Sequence, residues 1–67
     1  MLIKKSITIK KHRTSLSLEK EFWDALKIIA KNENSSIENL VSKIDANRKT
    51  SLASSIRIYI LKFYMQN

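Results

Sequence analysis

The segment His12–Leu18 constrains the fold of this 67-residue chain most, because apolar and polar side chains alternate along it. Successive side chains of a β-strand point to opposite faces, so one face is apolar and the other carries only hydrogen-bonding groups. The apolar face holds Thr14, Leu16 and Leu18, and the polar face holds Arg13, Ser15 and Ser17. No later segment has the pattern of a second strand, and a lone strand leaves its backbone unpaired. We therefore expect this strand to pair with its copy in a second subunit, as an antiparallel ribbon.

Residues 1–11 leave two alternatives open. Lys4 and Lys5 belong either to a basic arm or to an extra strand, which would run through Ser6–Ile9 and fold back on the main strand.

Small size and the absence of cysteine also favour oligomerisation. A chain of 67 residues buries a smaller share of its surface than a larger domain, and usually needs an additional stabilising device. With no cysteine and a single histidine, neither a disulfide nor a spaced metal site is expected, and no cofactor is implied. No apolar run resembles a secretory or membrane-spanning segment, which is consistent with a cytoplasmic protein.

The positive charge is concentrated at the start of the chain. The net charge is +7, and residues 1–18 contribute +5 of it without any acid, from Lys4, Lys5, Lys10, Lys11 and Arg13. The remaining residues therefore carry only +2. A basic strand segment on a nearly neutral body is typical of a polyanion-binding protein. The alternative is a charged segment that only aids solubility.

Three helices are expected after the strand, at 19–33, 36–47 and 51–65, all within one domain. Glu19, Ser36, and either Thr50 or Ser51 are the expected N-caps. The chain has no glycine or proline, so Asn34 is the best candidate for a left-handed residue between the first two helices. The third helix is apolar on most sides, which predicts burial on more than one side.

The sequence shows no pattern of residues that is typical of a catalytic site. His12 has no partnered acid or nucleophile nearby, and the acidic residues are scattered over the helices. Trp23 lies beside the apolar stripe of the first helix and is expected in the core or an interface. We therefore do not expect an enzyme.

These features together resemble the ribbon-helix-helix (Arc/MetJ/CopG-like) family of DNA-binding repressors. The chain is most similar to a bacterial subgroup of small ribbon-helix-helix domain proteins. The segments that carry the resemblance are Lys5–Ile9, His12–Ser15, Leu18-Glu19, Phe22–Leu26, Ser36-Ile37, Ile44-Asp45 and Leu52–Arg57. Lys10-Lys11 departs from the small residue and glycine usual in that subgroup, and Asn34-Ser35 from the usual glycine and apolar residue. The resemblance implies a mainly α fold with one short N-terminal strand, an intertwined homodimer and an additional C-terminal helix.

The resemblance also assigns roles to matching positions. Outward strand side chains of the family contact base edges in the major groove, which here implies Arg13, Ser15 and Ser17. The start of the second helix contacts a phosphate, which implies Ser35, Ser36 and Ile37, and Lys10 and Lys11 are expected at the DNA backbone. The implied dimer core comprises Leu16, Leu18, Phe22, Leu26, Leu40, Ile44 and Ile56.

The function implied is sequence-specific binding of double-stranded DNA by a transcriptional repressor or autoregulator, whose dimers could stack along DNA. The alternative is the antitoxin of a toxin–antitoxin pair, with a toxin as protein partner. Antitoxins of this fold usually carry a disordered tail, whereas the third helix here is expected to reach almost to Asn67. Binding to an anionic membrane is less favoured, because the basic residues do not follow one helix face.

Overall fold

The fold is a β-hairpin followed by three helices, in a computed structural model that describes residues 1–66. The strands are β1 (Leu2–Ile9) and β2 (His12–Glu19), and the helices are α1 (Lys20–Asn32), α2 (Ile37–Asn47) and α3 (Leu52–Met65). The three helices cover one face of the hairpin and enclose a single apolar core with it.

The hairpin is closed by the two-residue turn Lys10-Lys11. The strands are antiparallel, with Ile9 opposite His12 and Leu2 opposite Glu19 at the two ends of the ladder. Both turn residues have positive φ, 51° at Lys10 and 69° at Lys11. A turn of this hand matches the right-handed twist of the strands, but it is normally made by asparagine, aspartate or glycine. The chain therefore accepts backbone strain at both lysines.

The partner of β2 lies in its own chain, which corrects the argument that the strand lacks an intrachain partner. The segment before it forms a strand from Leu2, longer than the Ser6–Ile9 alternative, and residues 2–9 are not a free arm. Leu16 and Leu18 are only 4% and 0% exposed within a single chain. Ile7 and Ile9 on β1 are also buried, and they supply the matching apolar face of the hairpin. Burial of this face therefore does not by itself require a second subunit.

Helix α1 packs on the sheet through its apolar stripe. Leu26 and Ile29 are fully buried, and Trp23 is buried as expected. The Trp23 indole Nε1–H donates to the Ile3 carbonyl oxygen at 2.8 Å, so the polar atom of this ring is satisfied where β1 begins. This contact fastens α1 to the strand that is farther from it in sequence.

Helix α2 begins at the expected cap and is fastened to β1. The Ser36 hydroxyl oxygen accepts from the Asn39 backbone N–H at 3.0 Å, and Asn34 has φ 54°, as expected for the turn before it. One turn into α2, the Glu38 carboxylate accepts from the Thr8 backbone N–H at 2.8 Å. The start of α2 is thereby held beside the outer edge of β1.

Helix α3 is buried on one side only, which corrects the expectation of burial on several sides. Its N-cap is Ser51, and its buried positions are Ile56 and Ile60. Four large apolar side chains remain about half exposed or more, namely Ile58, Leu61, Tyr64 and Met65. The core of so short a chain is large enough to cover one face of this helix and no more. No helix within residues 1–66 is long and apolar enough to cross a membrane.

Candidate nucleic-acid interface

The hairpin turns one polar face away from the helices, and we call it the outward face. The register places Thr8 opposite Arg13, Ser6 opposite Ser15, and Lys4 opposite Ser17. These three pairs therefore place Lys4, Ser6, Thr8, Arg13, Ser15 and Ser17 on the outward face, and the same alternation adds Leu2 and Glu19 at its far end. Each of the first six side chains can form a hydrogen bond, and none of the eight is buried.

The structure brings Arg13, Ser15 and Ser17 onto this face together, as the alternation of β2 indicated. It adds three residues that the sequence reasoning missed, Lys4, Ser6 and Thr8. A signal for them was present, because the polar residues at positions 4, 6 and 8 alternate with a set that includes Ile3, Ile7 and Ile9. The outward face of a single chain is thus twice as wide as that of the lone strand.

Positive charge lies on this face at Lys4 and Arg13, on either side of the uncharged pair Ser6 and Ser15, and in the turn beside Arg13. Lys4, Arg13 and the turn residues Lys10 and Lys11 are all exposed. Lys5 points to the other side of the hairpin, where its Nζ lies 5.0 Å from the centre of the Trp23 ring. The charge of Lys5 therefore does not add to the outward face.

An acidic residue sits at the far end of β2, where its charge is neutralised. Glu19 Oε1 accepts from Arg57 Nε at 3.1 Å and from Nη2 at 2.9 Å. A backbone hydrogen bond at Glu19, followed by the bond from Arg57, lowers the pKa of this carboxyl below its usual value. The ion pair also fastens α3 to the end of the ribbon.

The two edges of the hairpin differ in how their backbone groups are covered. In an antiparallel ladder closed by a two-residue turn, the pair next to the turn is hydrogen-bonded and the pairs then alternate. The backbone N–H of Thr8 accordingly points away from β2, and Glu38 accepts from it. By the same alternation, the backbone groups of Arg13, Ser15 and Ser17 point to the opposite edge.

That opposite edge of β2 borders an open groove of about 510 Å³, which we call the β2 groove. Leu52 and Ala53, at the start of α3, line it together with Asp45 and Arg48. Within residues 1–66, no strand pairs with β2 along this edge. It can therefore accept a further strand.

The start of α2 offers fewer backbone donors than its sequence suggested. The Ser35 N–H donates to the Ala30 carbonyl at 2.8 Å, and the Ser36 hydroxyl is engaged in capping. In the described part of the chain, neither the Ser36 N–H nor the Ile37 N–H has an acceptor, so these two backbone donors remain for a phosphate. The nearby Glu38 carboxylate opposes an anion at this position.

The residues expected in a dimer core are placed in the core of one chain. Leu26, Leu40, Ile44 and Ile56 are buried with the two β2 leucines, and Phe22 is half-buried beneath the Arg57 guanidinium, 5.7 Å from its ring centre. Within residues 1–66, no three His, Cys, Asp or Glu side chains are grouped closely enough to hold a metal ion.

Comparison with known proteins identifies the family of the chain. A family model described as a ribbon-helix-helix domain matches residues 2–64, which is almost the whole chain. The match includes both strands of the hairpin and nearly all of α3. Comparisons with curated proteins and with solved structures gave no match. The chain belongs to the ribbon-helix-helix family, whose members are DNA-binding regulators and bind DNA as dimers.

Proposed function

We propose that this ribbon-helix-helix protein is a homodimeric transcriptional repressor or autoregulator that reads double-stranded DNA through the outward face of its hairpin. The observation that carries the proposal is the composition of that face. It presents hydrogen-bonding side chains without an apolar or acidic residue over its three pairs nearest the turn, and the basic turn lies beside them. This is the surface that base edges and phosphates require.

The uncovered edge of β2 supports dimerisation through that strand. Pairing two such edges would give a sheet in the order β1-β2-β2-β1, with Arg13, Ser15 and Ser17 of both chains on the two central strands. Strands lie about 4.8 Å apart, so the two outer strands would be separated by about 14 Å. The major groove is about 12 Å wide, so the central strands would enter it and the outer strands would lie at its rims.

This arrangement divides the outward face into two roles. Arg13 is the one side chain of β2 with the fork that contacts guanine O6 and N7 together, and Ser15 and Ser17 discriminate more weakly. Lys4 on β1, with Lys10 and Lys11 in the turn, would lie beside phosphates and position the dimer. At the start of α2, Ile37 and Ser36 would add a phosphate contact on the β1 side, with Ser35 contributing only through its side chain.

Selection of bound sequences from a random DNA pool tests the function directly. A dimer with a two-fold axis should enrich a sequence with two inverted half-sites, because each chain then meets the same bases. A reporter fused to a promoter that contains the enriched sequence should lose expression when the protein is present. Failure to enrich any sequence above the starting pool would overturn the proposal.

A further inference from the structure

A second concave surface lies between α2 and α3, and we call it the α2–α3 cleft. It is an open cleft of about 520 Å³. Lys43 and Asn47 line it from α2, Ile58 and Lys62 line it from α3, and the connecting turn forms its end. Four of its lining residues are basic, namely Lys43, Arg48, Lys49 and Lys62, and among the described residues none that lines it is acidic.

The positive charge of the cleft is poorly neutralised from within the chain. Lys43, Lys49 and Lys62 are exposed and make no ion pair with any residue of the described range 1–66. Arg48 is held in place, because its Nε donates to Asp45 Oδ1 at 2.7 Å and its Nη1 to the Thr50 carbonyl at 2.8 Å. One of the four charges is therefore balanced and three are not.

Two acidic side chains contact residues that line the cleft, since Asp45 pairs with Arg48 and the Glu33 carboxylate accepts from the Tyr59 hydroxyl at 3.3 Å. Neither pairs with a lysine of the cleft. Glu19 pairs with Arg57 and Asp24 with Lys20, away from the cleft. Glu38 is held at the Thr8 backbone. Residues 19–67 have a small net charge, but the fold places the unpaired lysines Lys43, Lys49 and Lys62 around one cleft. The local excess of positive charge therefore arises only on folding.

The cleft adjoins the β2 groove, since Arg48 lines both, but Asp45 also lines the groove and pairs with Arg48. In the proposed dimer a second β2 would occupy the groove, so the cleft is the part of this surface that stays open to phosphate. Its three unpaired lysines suit linked phosphates better than one isolated anion.

We propose that the α2–α3 cleft binds phosphate groups, and that these belong to the DNA backbone flanking the bases contacted by the outward face. Lysine ammonium groups would supply the charge, and Asn47 and Ser55, which also line the cleft, would supply hydrogen bonds. The proposal that the cleft binds phosphate depends only on the residues of the cleft. The proposal that this phosphate belongs to DNA also rests on the proposed function.

The first test uses the full chain without DNA. Inorganic pyrophosphate is titrated while backbone amide shifts are followed by NMR, and we expect saturable shifts confined to Asn47–Thr50 and neighbouring residues of α3. The double variant K49Q/K62Q should weaken this binding at least tenfold. The control K27Q/K31Q removes the same charge from exposed α1 lysines that line neither the cleft nor the β2 groove, and should bind as the wild type does.

The second test measures duplex affinity against salt concentration, on a duplex that extends beyond the selected site. K49Q/K62Q should reduce the slope of log K against log salt by about 2 per chain, since each phosphate contact contributes about 0.9. An unchanged slope together with saturable pyrophosphate binding assigns the cleft to a free phosphate ligand and overturns the DNA source. Pyrophosphate shifts that do not saturate, or that K27Q/K31Q weakens as much, overturn the site itself. The pyrophosphate result does not depend on whether the chain binds DNA.

Discussion

The Glu38 carboxylate on α2 accepts a hydrogen bond from the backbone N–H of Thr8 on β1, at 2.8 Å. This contact joins residues thirty positions apart and covers a donor at the edge of β1. The corresponding edge of β2 has no such cover in the described chain. The hairpin is therefore asymmetric, with one edge closed by its own helix and the other open to a partner.

Glu38→Ala should lower the free energy of unfolding by about 1 kcal/mol, because a charged acceptor is lost from an exposed backbone donor. Glu38→Gln keeps a neutral acceptor and should lose about half as much. Glu21→Ala is the control, since it removes an exposed acid from the first turn of α1. Urea denaturation measures the free energy of unfolding of all three variants. Equal losses for Glu38→Ala and Glu21→Ala would show that Glu38 stabilises the fold through the helix dipole alone, and not through its hydrogen bond to Thr8.

Lys11→Gly should raise the free energy of unfolding by about 1 kcal/mol, because glycine adopts positive φ without the steric cost that a Cβ imposes. Lys11→Ala removes the same charge but keeps the Cβ, and should leave stability nearly unchanged. Thermal unfolding of the two variants makes the comparison. A glycine variant no more stable than the alanine variant would show that the turn is not strained.

Ser36→Ala removes the α2 cap and should cost about 1 kcal/mol of stability. It should also weaken binding to every duplex by a similar factor, because phosphate contacts carry no sequence information. Ser36→Asp separates the two effects, since aspartate caps well but repels phosphate. We expect near-wild-type unfolding and weaker DNA binding for Ser36→Asp. DNA affinity equal to that of the wild type would remove the start of α2 from the interface.

Ser15→Pro tests dimerisation through the open edge of β2. The Ser15 N–H points away from β1, so proline there should preserve the hairpin of one chain, as it does on edge strands. The same change removes a donor needed for pairing with a second β2. Analytical ultracentrifugation should show a folded monomer, with helical circular dichroism close to that of the wild type. A Ser15→Pro dimer as tight as the wild type would place the dimer interface elsewhere.

Predictions from the sequence were most accurate where a local residue pattern is compatible with only one local structure. The alternation of β2 predicted which of its side chains are buried, and Ser36 and Asn34 were identified because capping and positive φ restrict residue type. The phosphate and base contacts remain predictions, since they depend on a partner that the chain does not include.

Relationships between distant segments could not be predicted. Whether Ser6–Ile9 pairs with β2 depends on the Lys10-Lys11 turn, whose residue types disfavour the conformation they adopt. The α2–α3 cleft could not be predicted because Lys43, Lys49 and Lys62 are separated along the sequence and meet only when α2 packs against α3. The one-sided burial of α3 depends on the size of the core, which an apolar pattern does not reveal.

The most direct test of the central claim, that the outward face reads sequence, compares Arg13→Lys with Lys10→Gln. Binding of each variant is measured on the selected duplex and on a random duplex at several salt concentrations. Arg13→Lys keeps the charge but loses the bidentate fork, so we expect a loss of about 1–3 kcal/mol per half-site on the selected duplex alone. Lys10→Gln should weaken both duplexes equally and lower the salt dependence. Parallel losses for both variants on both duplexes would contradict the claim and reduce the hairpin to an electrostatic anchor.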